Sequence, residues 1–235
     1  MSHAVSPSPI VDLEGRHDLY GGVHKGLRKA GCELLIRLGA VDPCDVRERE
    51  ALLASLRHHL ALAASHISHE EDNIHGPLRQ RGGSSDRVAD QHDDHRAAFA
   101  ALEALAAALE TAAPGHEAAA GRRLYLAFAA HLAADLLHMH EEETVVAPAL
   151  WAAFTDAELV ALEGRIVGSM PPEENMAFLR QMIPAMNPSE RAALLGAVQK
   201  DAPPEVFGAV IDFAVRPSLA EKAFGDLADR LRLAV

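Results

Sequence analysis

Apolar residues recur every three or four positions along most of the chain, which is the spacing of α-helices that bury one face. The period-two alternation that marks a half-buried strand is absent from the sequence. Four long helices joined by short loops predict an all-α protein, built as an up-down-up-down four-helix bundle. The predicted helices are Arg16–Leu38, Asp42–Pro77, Val88–Leu109 and Glu117–Leu150.

The last part of the chain follows a different pattern. Spacings typical of helix-opening capping boxes occur at Thr155 and Glu158, Asn187 and Glu190, and Ser218 and Glu221. About four shorter helices are expected there, and their apolar side chains must be buried against the bundle or against a second copy of the chain. A homodimer through the C-terminal helices is therefore one expected arrangement. The predicted organisation is an irregular lead-in over residues 1–15, the bundle over 16–152 and a helical accessory region over 153–235.

One motif occurs twice, 72 positions apart: a histidine followed four residues later by a glutamate. The pairs are His66 with Glu70 and His138 with Glu142, and each lies on the apolar stripe of its predicted helix. A spacing of four puts both side chains on one helix face, one turn apart. The two helices are therefore expected to face each other as pseudo-symmetric partners around a metal site.

Histidines on the other two helices complete the candidate ligand set. Imidazole and carboxylate ligands without thiolate suit iron or manganese, with zinc as a chemical alternative, and carboxylates can bridge two ions. Each histidine alone could be an ordinary hydrogen-bonded core residue, but the set has no cationic residues on its stripes to pair with the glutamates. The candidate metal ligands are His24, His66, Glu70, His95, His138 and Glu142, with His92 as the alternative to His95.

Two other metal motifs do not fit the spacing. A zinc-protease motif would need histidines where Asn73 and Thr144 stand, and the Glu-x-x-His string of ferritin-type centres occurs only at Glu14–His17. His59 and His131 lie about 10 Å along their helices from the paired histidines, so roles in the core are expected for them.

Composition excludes several classes of function. A net charge of -12 argues against a nucleic-acid partner. The nearly apolar stretch Leu124–Leu137 is too short to span a bilayer, and no signal peptide opens the sequence, so we expect a soluble cytoplasmic protein without a membrane partner. Two cysteines make neither a disulfide framework nor a Cys-x-x-Cys site. All 14 histidines precede residue 141, so the accessory region is expected to carry no metal.

On these motifs, residues 16–150 resemble the hemerythrin family, in its bacterial hemerythrin-like (HHE cation-binding) branch. The resemblance implies two irons bridged by Glu70 and Glu142, with histidines at each ion and a position for a small diatomic or peroxide ligand. The third helix departs from the oxygen-carrier pattern, since His92-x-x-x-Arg96 and Gln91-x-x-x-His95 each supply only one imidazole. His95 is preferred because apolar residues follow it as they follow the metal histidine of the family.

The expected function is that of a non-haem di-iron protein that binds or senses dioxygen or iron. A di-iron enzyme acting on peroxide or nitric oxide, in a catalase-like or stress-response role, is the first alternative. A purely structural metal site is the second. A binding or sensing protein is favoured over an enzyme, because the sequence shows no nucleophile motif and no phosphate-binding loop.

Overall fold

The computed structural model describes residue 13 and residues 15–233, and within these every regular element is a helix. The predicted all-α class is confirmed. Most of the predicted lead-in lies outside the described residues. The elements are α1 (Gly21–Ala40), α2 (Val46–Glu70), π1 (Glu71–His75), α3 (Gly76–Gln80), α4 (Asp86–Glu110), α5 (Glu117–Glu141), π2 (Glu142–Val146), α6 (Ala147–Ala153), α7 (Asp156–Ser169), α8 (Pro172–Ala185), α9 (Pro188–Asp201), α10 (Pro204–Val210), π3 (Ile211–Val215), α11 (Arg216–Ser218) and α12 (Glu221–Leu231).

Helix starts differ from the sequence prediction where a side chain caps the helix later than expected. The Asp45 carboxylate accepts hydrogen bonds from the first free amides of α2, so this helix begins at Val46 rather than at Asp42. The predicted capping box at Asn187 and Glu190 is formed. The one predicted at Ser218 is wrong, because the Ser218 hydroxyl donates to the Val215 carbonyl and α12 starts three residues later.

Contacts divide the chain into two compact units. The first unit holds the described residues up to Tyr20 together with Gly31–Ile166, and the second holds Gly21–Ala30 with the described residues from Val167 onward. Helix α1 contributes to both. The predicted domain boundaries at residues 16 and 152 stay predictions, since clustering of contacts does not show which parts fold independently.

The first unit is stabilised by two clusters of buried apolar side chains. One draws on the second half of α1 and on α2, α4 and α5, with Leu56, Leu102 and Phe128 at its centre. The other gathers side chains around π1, π2, α6 and α7. Along α2 and π1 the first cluster ends at Ile67 and the second begins at Ile74, so the polar residues between them lie between two apolar regions.

The three π-helical segments share one cause. Each is followed by an Xaa-Pro pair, at Pro77, Pro148 and Pro217. A proline inside a helix cannot donate to the carbonyl four residues earlier, and its ring clashes with that carbonyl. The residue before each proline instead donates to the carbonyl five residues back, as Gly76 does to Glu71 and Ala147 to Glu142.

The second unit has a core of its own, centred on Ile183, Leu195 and Val215. Pro217 has no amide hydrogen to donate to the Phe213 carbonyl. This carbonyl instead accepts a hydrogen bond of 2.6 Å from the Arg180 guanidinium. The first half of α1 packs into this unit through Gly26, where a Cβ atom would lie 3.1 Å from the backbone of α8.

Among the described residues, no single helix has the length and apolar character needed to cross a membrane. One sharply bent helix pair, Glu117–Ala153 with Asp156–Ser169, meets that test jointly by length and composition only.

Candidate metal centre

The two His-x-x-x-Glu pairs have the geometry that their spacing predicts. The distance from His66 Nε2 to Glu70 Oε1 is 3.1 Å, and that from His138 Nε2 to Glu142 Oε2 is 3.3 Å. Glu70 is 2% exposed and Glu142 is fully buried. Burial of a carboxylate costs several kcal/mol unless positive charge or hydrogen bonds compensate it. Two such residues at equivalent places in a repeat therefore form a candidate site for a cation.

Four ligand atoms from three helices meet at one point. Atoms of Glu70, His92, His138 and Glu142 all lie within 4.8 Å of one another, and all four side chains are buried. His92 Nε2 is 3.6 Å from Glu70 Oε2, 3.6 Å from Glu142 Oε1 and 3.1 Å from His138 Nε2. Helices α2, α4 and α5, with π2, thus supply a group that can hold a metal ion.

His66 is a further candidate ligand beside the same carboxylates, since its ligand atom and those of Glu70 and Glu142 also lie within 4.8 Å of one another. His24 is fully buried in the first half of α1, a stretch that belongs to the second unit. Its role as a ligand stays a prediction.

The third-helix histidine nearest the carboxylates is His92, not His95. His95 lies one turn further along α4, where its ring stacks edge-on against His138 at 4.9 Å and its Nε2 is 3.8 Å from Asp135. The preference for His95 is therefore not supported by this geometry, which favours His92. Both residues lie on the buried face of α4, so their spacing alone could not separate them.

His75 is a site residue that the sequence analysis missed. It is fully buried at the end of π1, with Nε2 3.5 Å from Glu142 Oε1 and 3.1 Å from the hydroxyl oxygen of Tyr20. Its ring stacks on that of His92 at 5.3 Å. In an α-helix, a residue five positions after Glu70 would point about 140° away from it. The available signal was Pro77, whose place two residues later predicts a break in the regular helix.

A second layer of side chains holds the imidazoles. His138 Nδ1 lies 2.8 Å from Gln91 Oε1, and His92 Nδ1 lies 3.1 Å from Glu71 Oε1. Gln91 also donates to Glu141. Polar partners on the far nitrogen fix the ring orientation and tautomer of metal-binding histidines.

The protonation of the buried histidines bears on whether the centre can bind a cation. Burial lowers the pKa of His138 to about 4, so this ring is neutral at pH 7 and has a lone pair to donate. Burial also disfavours charge on His92, but hydrogen bonds to Glu142 and Glu70 outweigh it and raise the pKa of His92 to about 10. Without metal, a proton on His92 therefore supplies part of the positive charge that the two carboxylates need. A divalent ion would supply more and would displace that proton.

His59 and His131 lie outside this group, as predicted. Both are buried, and Nδ1 of each has no hydrogen-bond partner among the described residues. Burial lowers the pKa of each ring to about 4. They are neutral core residues, and each contacts the ring of Phe128 edge-on.

A groove of about 640 Å³ lies between α4 and α5. Small residues line it, among them Ala98, Ala130 and Ala134. His95 and Gln91 also line it, and both contact His138. A small molecule can therefore reach the residues that surround His138.

No protein-family model, curated protein or solved structure matches the chain. The arrangement of the residues themselves thus carries the functional argument.

Proposed function

We propose that the chain is a hemerythrin-like protein that holds a carboxylate-bridged pair of irons in an up-down-up-down helical bundle and binds or senses dioxygen or iron. The observation that carries the proposal is the pair of buried carboxylates, Glu70 and Glu142, with imidazoles within 4.8 Å of both. Oxygen and nitrogen donors without sulfur suit iron or manganese, and zinc can substitute.

The chain's residues would divide between the two ions. Glu70 and Glu142 would be shared between the two ions, since His66 Nε2 lies 3.1 Å from Glu70 Oε1 while His92 Nε2 lies 3.6 Å from Glu70 Oε2 and from Glu142 Oε1. His24 remains in the ligand set on the sequence motif alone. Bound iron would supply reversible electron transfer and a coordination position for a small ligand.

The protein supplies the surroundings of that position. Buried apolar side chains on both sides of the ligands exclude bulk water. Gln91 and Glu71 keep the rings of His138 and His92 oriented. The groove between α4 and α5 would bring a diatomic molecule or a peroxide as far as Gln91 and His95, which contact His138.

Anaerobic loading with Fe(II), followed by absorption spectra under dioxygen, hydrogen peroxide and nitric oxide, tests the proposal. A new band under dioxygen that disappears when the gas is removed would support binding. Catalytic release of dioxygen from peroxide, or turnover of nitric oxide, would instead favour the enzyme. Iron binding with no spectral change under any of these molecules would indicate a structural metal site. Failure to bind iron would overturn the proposal.

A further inference from the structure

His75 belongs to neither His-x-x-x-Glu pair, yet it faces the centre. Its Nε2 lies 3.5 Å from Glu142 Oε1, and both side chains are fully buried. Its Nδ1 has no hydrogen-bond partner among the described residues. The polar contacts of the ring are thus made by Nε2, which faces Glu142 and Tyr20.

The π-helical turn brings His75 to this position. Five residues after Glu70, a side chain on a regular α-helix would point away from the carboxylate. Because Gly76 donates to the carbonyl of Glu71, the turn holds an extra residue and His75 returns to the ligand face. Single-turn π-bulges are frequent at functional sites.

The other half of the repeat provides an internal comparison. Measured from Pro77 and Pro148, the position equivalent to His75 is Val146, which is buried in an apolar cluster. Burial of an imidazole therefore is not required by the turn itself. His75 is an addition to one half of the centre only.

The ion that His75 could reach is the one beside His92. The third helix brings only His92 to the carboxylates, and the ion beside it would have Glu70, His92, His138 and Glu142 as its protein groups. The ring of His75 lies almost parallel to that of His92, at 5.3 Å between centroids and 19° between planes. Its Nε2 is on the same side as the Glu142 oxygen that faces His92.

We propose that His75 is an additional metal ligand, bound through Nε2 to the ion that Glu142, His92 and His138 hold. The proposal rests on the proposed function. The Tyr20 hydroxyl lies 3.1 Å from this same nitrogen and keeps the ring in place. A bound ion would need the lone pair of Nε2, so the Tyr20 hydroxyl would have to release it.

The test compares His75→Ala with His59→Ala in the full-length chain. Both variants remove a buried imidazole, but His59 is remote from the carboxylates, so it controls for the loss of packing. We expect His75→Ala to lower the affinity for the second Fe(II) by at least about tenfold, since even residues that only orient a ligand typically cost 10–100-fold. His59→Ala should retain the wild-type iron stoichiometry and spectrum.

Two further measurements make the outcome specific. Added free imidazole should restore the second iron and its absorption in His75→Ala, because it can occupy the space left by the ring. Tyr20→Phe should keep both irons, since it removes only the competing hydrogen bond. Equal iron affinity in His75→Ala and wild type, or loss that imidazole does not reverse, would overturn the proposal. These two results for His75→Ala can be told apart from failure of the wild-type chain to bind iron. That failure would overturn the proposed function.

Discussion

At the scale of single residues, local spacing identified the paired candidate ligands. The positions of the other candidates depend on how the helices are rotated and on irregularities in the backbone. His66 with Glu70 and His138 with Glu142 are four residues apart on one helix, so their common face follows from helix geometry alone. Which face of α4 meets them depends on how the whole helix packs, and this separated His92 from His95. His75 could not be predicted from a regular helical period.

The assignment of His92 gives a direct comparison between neighbours. Replacing His92 with Ala should lower iron affinity more than replacing His95, because His92 Nε2 lies 3.6 Å from both carboxylates. His95 contacts the ring of His138 and should affect affinity indirectly. Calorimetric titration of each metal-free variant with Fe(II) measures the difference. A larger loss in His95→Ala would show that the sequence-based preference was correct.

A pH-dependent stability is expected from His59. Its pKa is about 4 in the folded chain, against about 6.5 when unfolded, because burial disfavours the charged ring. The unfolded chain thus binds more protons between these values, and stability is fully present above pH 6.5 and lost as pH falls toward 4. From pH 7 to pH 5 this residue should cost about 2 kcal/mol.

Denaturant unfolding of the metal-free protein at pH 7 and pH 5 checks this. His59→Leu should lose less stability than wild type over that interval, by about the same 2 kcal/mol. An equal pH dependence in the two proteins would show that His59 does not titrate in the way its burial implies.

At the scale of secondary-structure elements, apolar periodicity predicted the long helices, and prolines determined where they deviate. The apolar period predicts a second helix that continues to Pro77 and a fourth that continues to Leu150, both without a break. The structure keeps the chain helical over both stretches but inserts π1 and π2 just before Pro77 and Pro148. A search for amphipathic period alone cannot detect an insertion of one residue, since the apolar stripe resumes after it.

The proline substitution Pro77→Ala should convert π1 toward a regular α-helix, because the new residue has an amide hydrogen that can donate to the Asn73 carbonyl. The turn would then move His75 away from Glu142, so iron affinity should fall while the metal-free protein keeps or gains stability. Pro217→Ala is the matched control, since Pro217 follows π3 in the second unit. Iron titration and thermal unfolding of both variants measure these effects. Unchanged iron binding in Pro77→Ala would show that the π-helical turn is not needed for iron binding.

At the scale of the whole molecule, the sequence showed that the C-terminal apolar residues need a partner but could not show which. Part of the answer is α1, whose first half shares the second unit with α8 and α9. The contacts between α1 and α8 join residues far apart in the sequence, and no local pattern near Gly26 or Gln181 predicts them. The predicted homodimer through the C-terminal helices stays a prediction.

Substitution of Gly26 tests how closely α1 packs in the second unit, and Gly164 in α7 serves as the control. A Cβ atom at Gly26 would lie 3.1 Å from backbone atoms of Gln181 and Met182, which cannot move freely, so Gly26→Ala should destabilise the protein. Gly164 in α7 has nothing within 4 Å of the same position, so Gly164→Ala should stabilise it by about 0.5–1 kcal/mol through helix propensity. Urea unfolding compares them, and two substitutions of the same sign and size would contradict this packing.

The central claim is that Glu70 and Glu142 bridge two irons, and anaerobic titration of the metal-free chain with Fe(II), followed by iron counting, tests it most directly. Wild type and the control Glu103→Gln, whose exposed carboxylate pairs with Arg57, should each retain about two irons per chain. Glu142→Gln should retain at most about one, because a neutral amide is a poor bridge between two cations. Two tightly bound irons in Glu142→Gln, or none in wild type, would contradict the assignment.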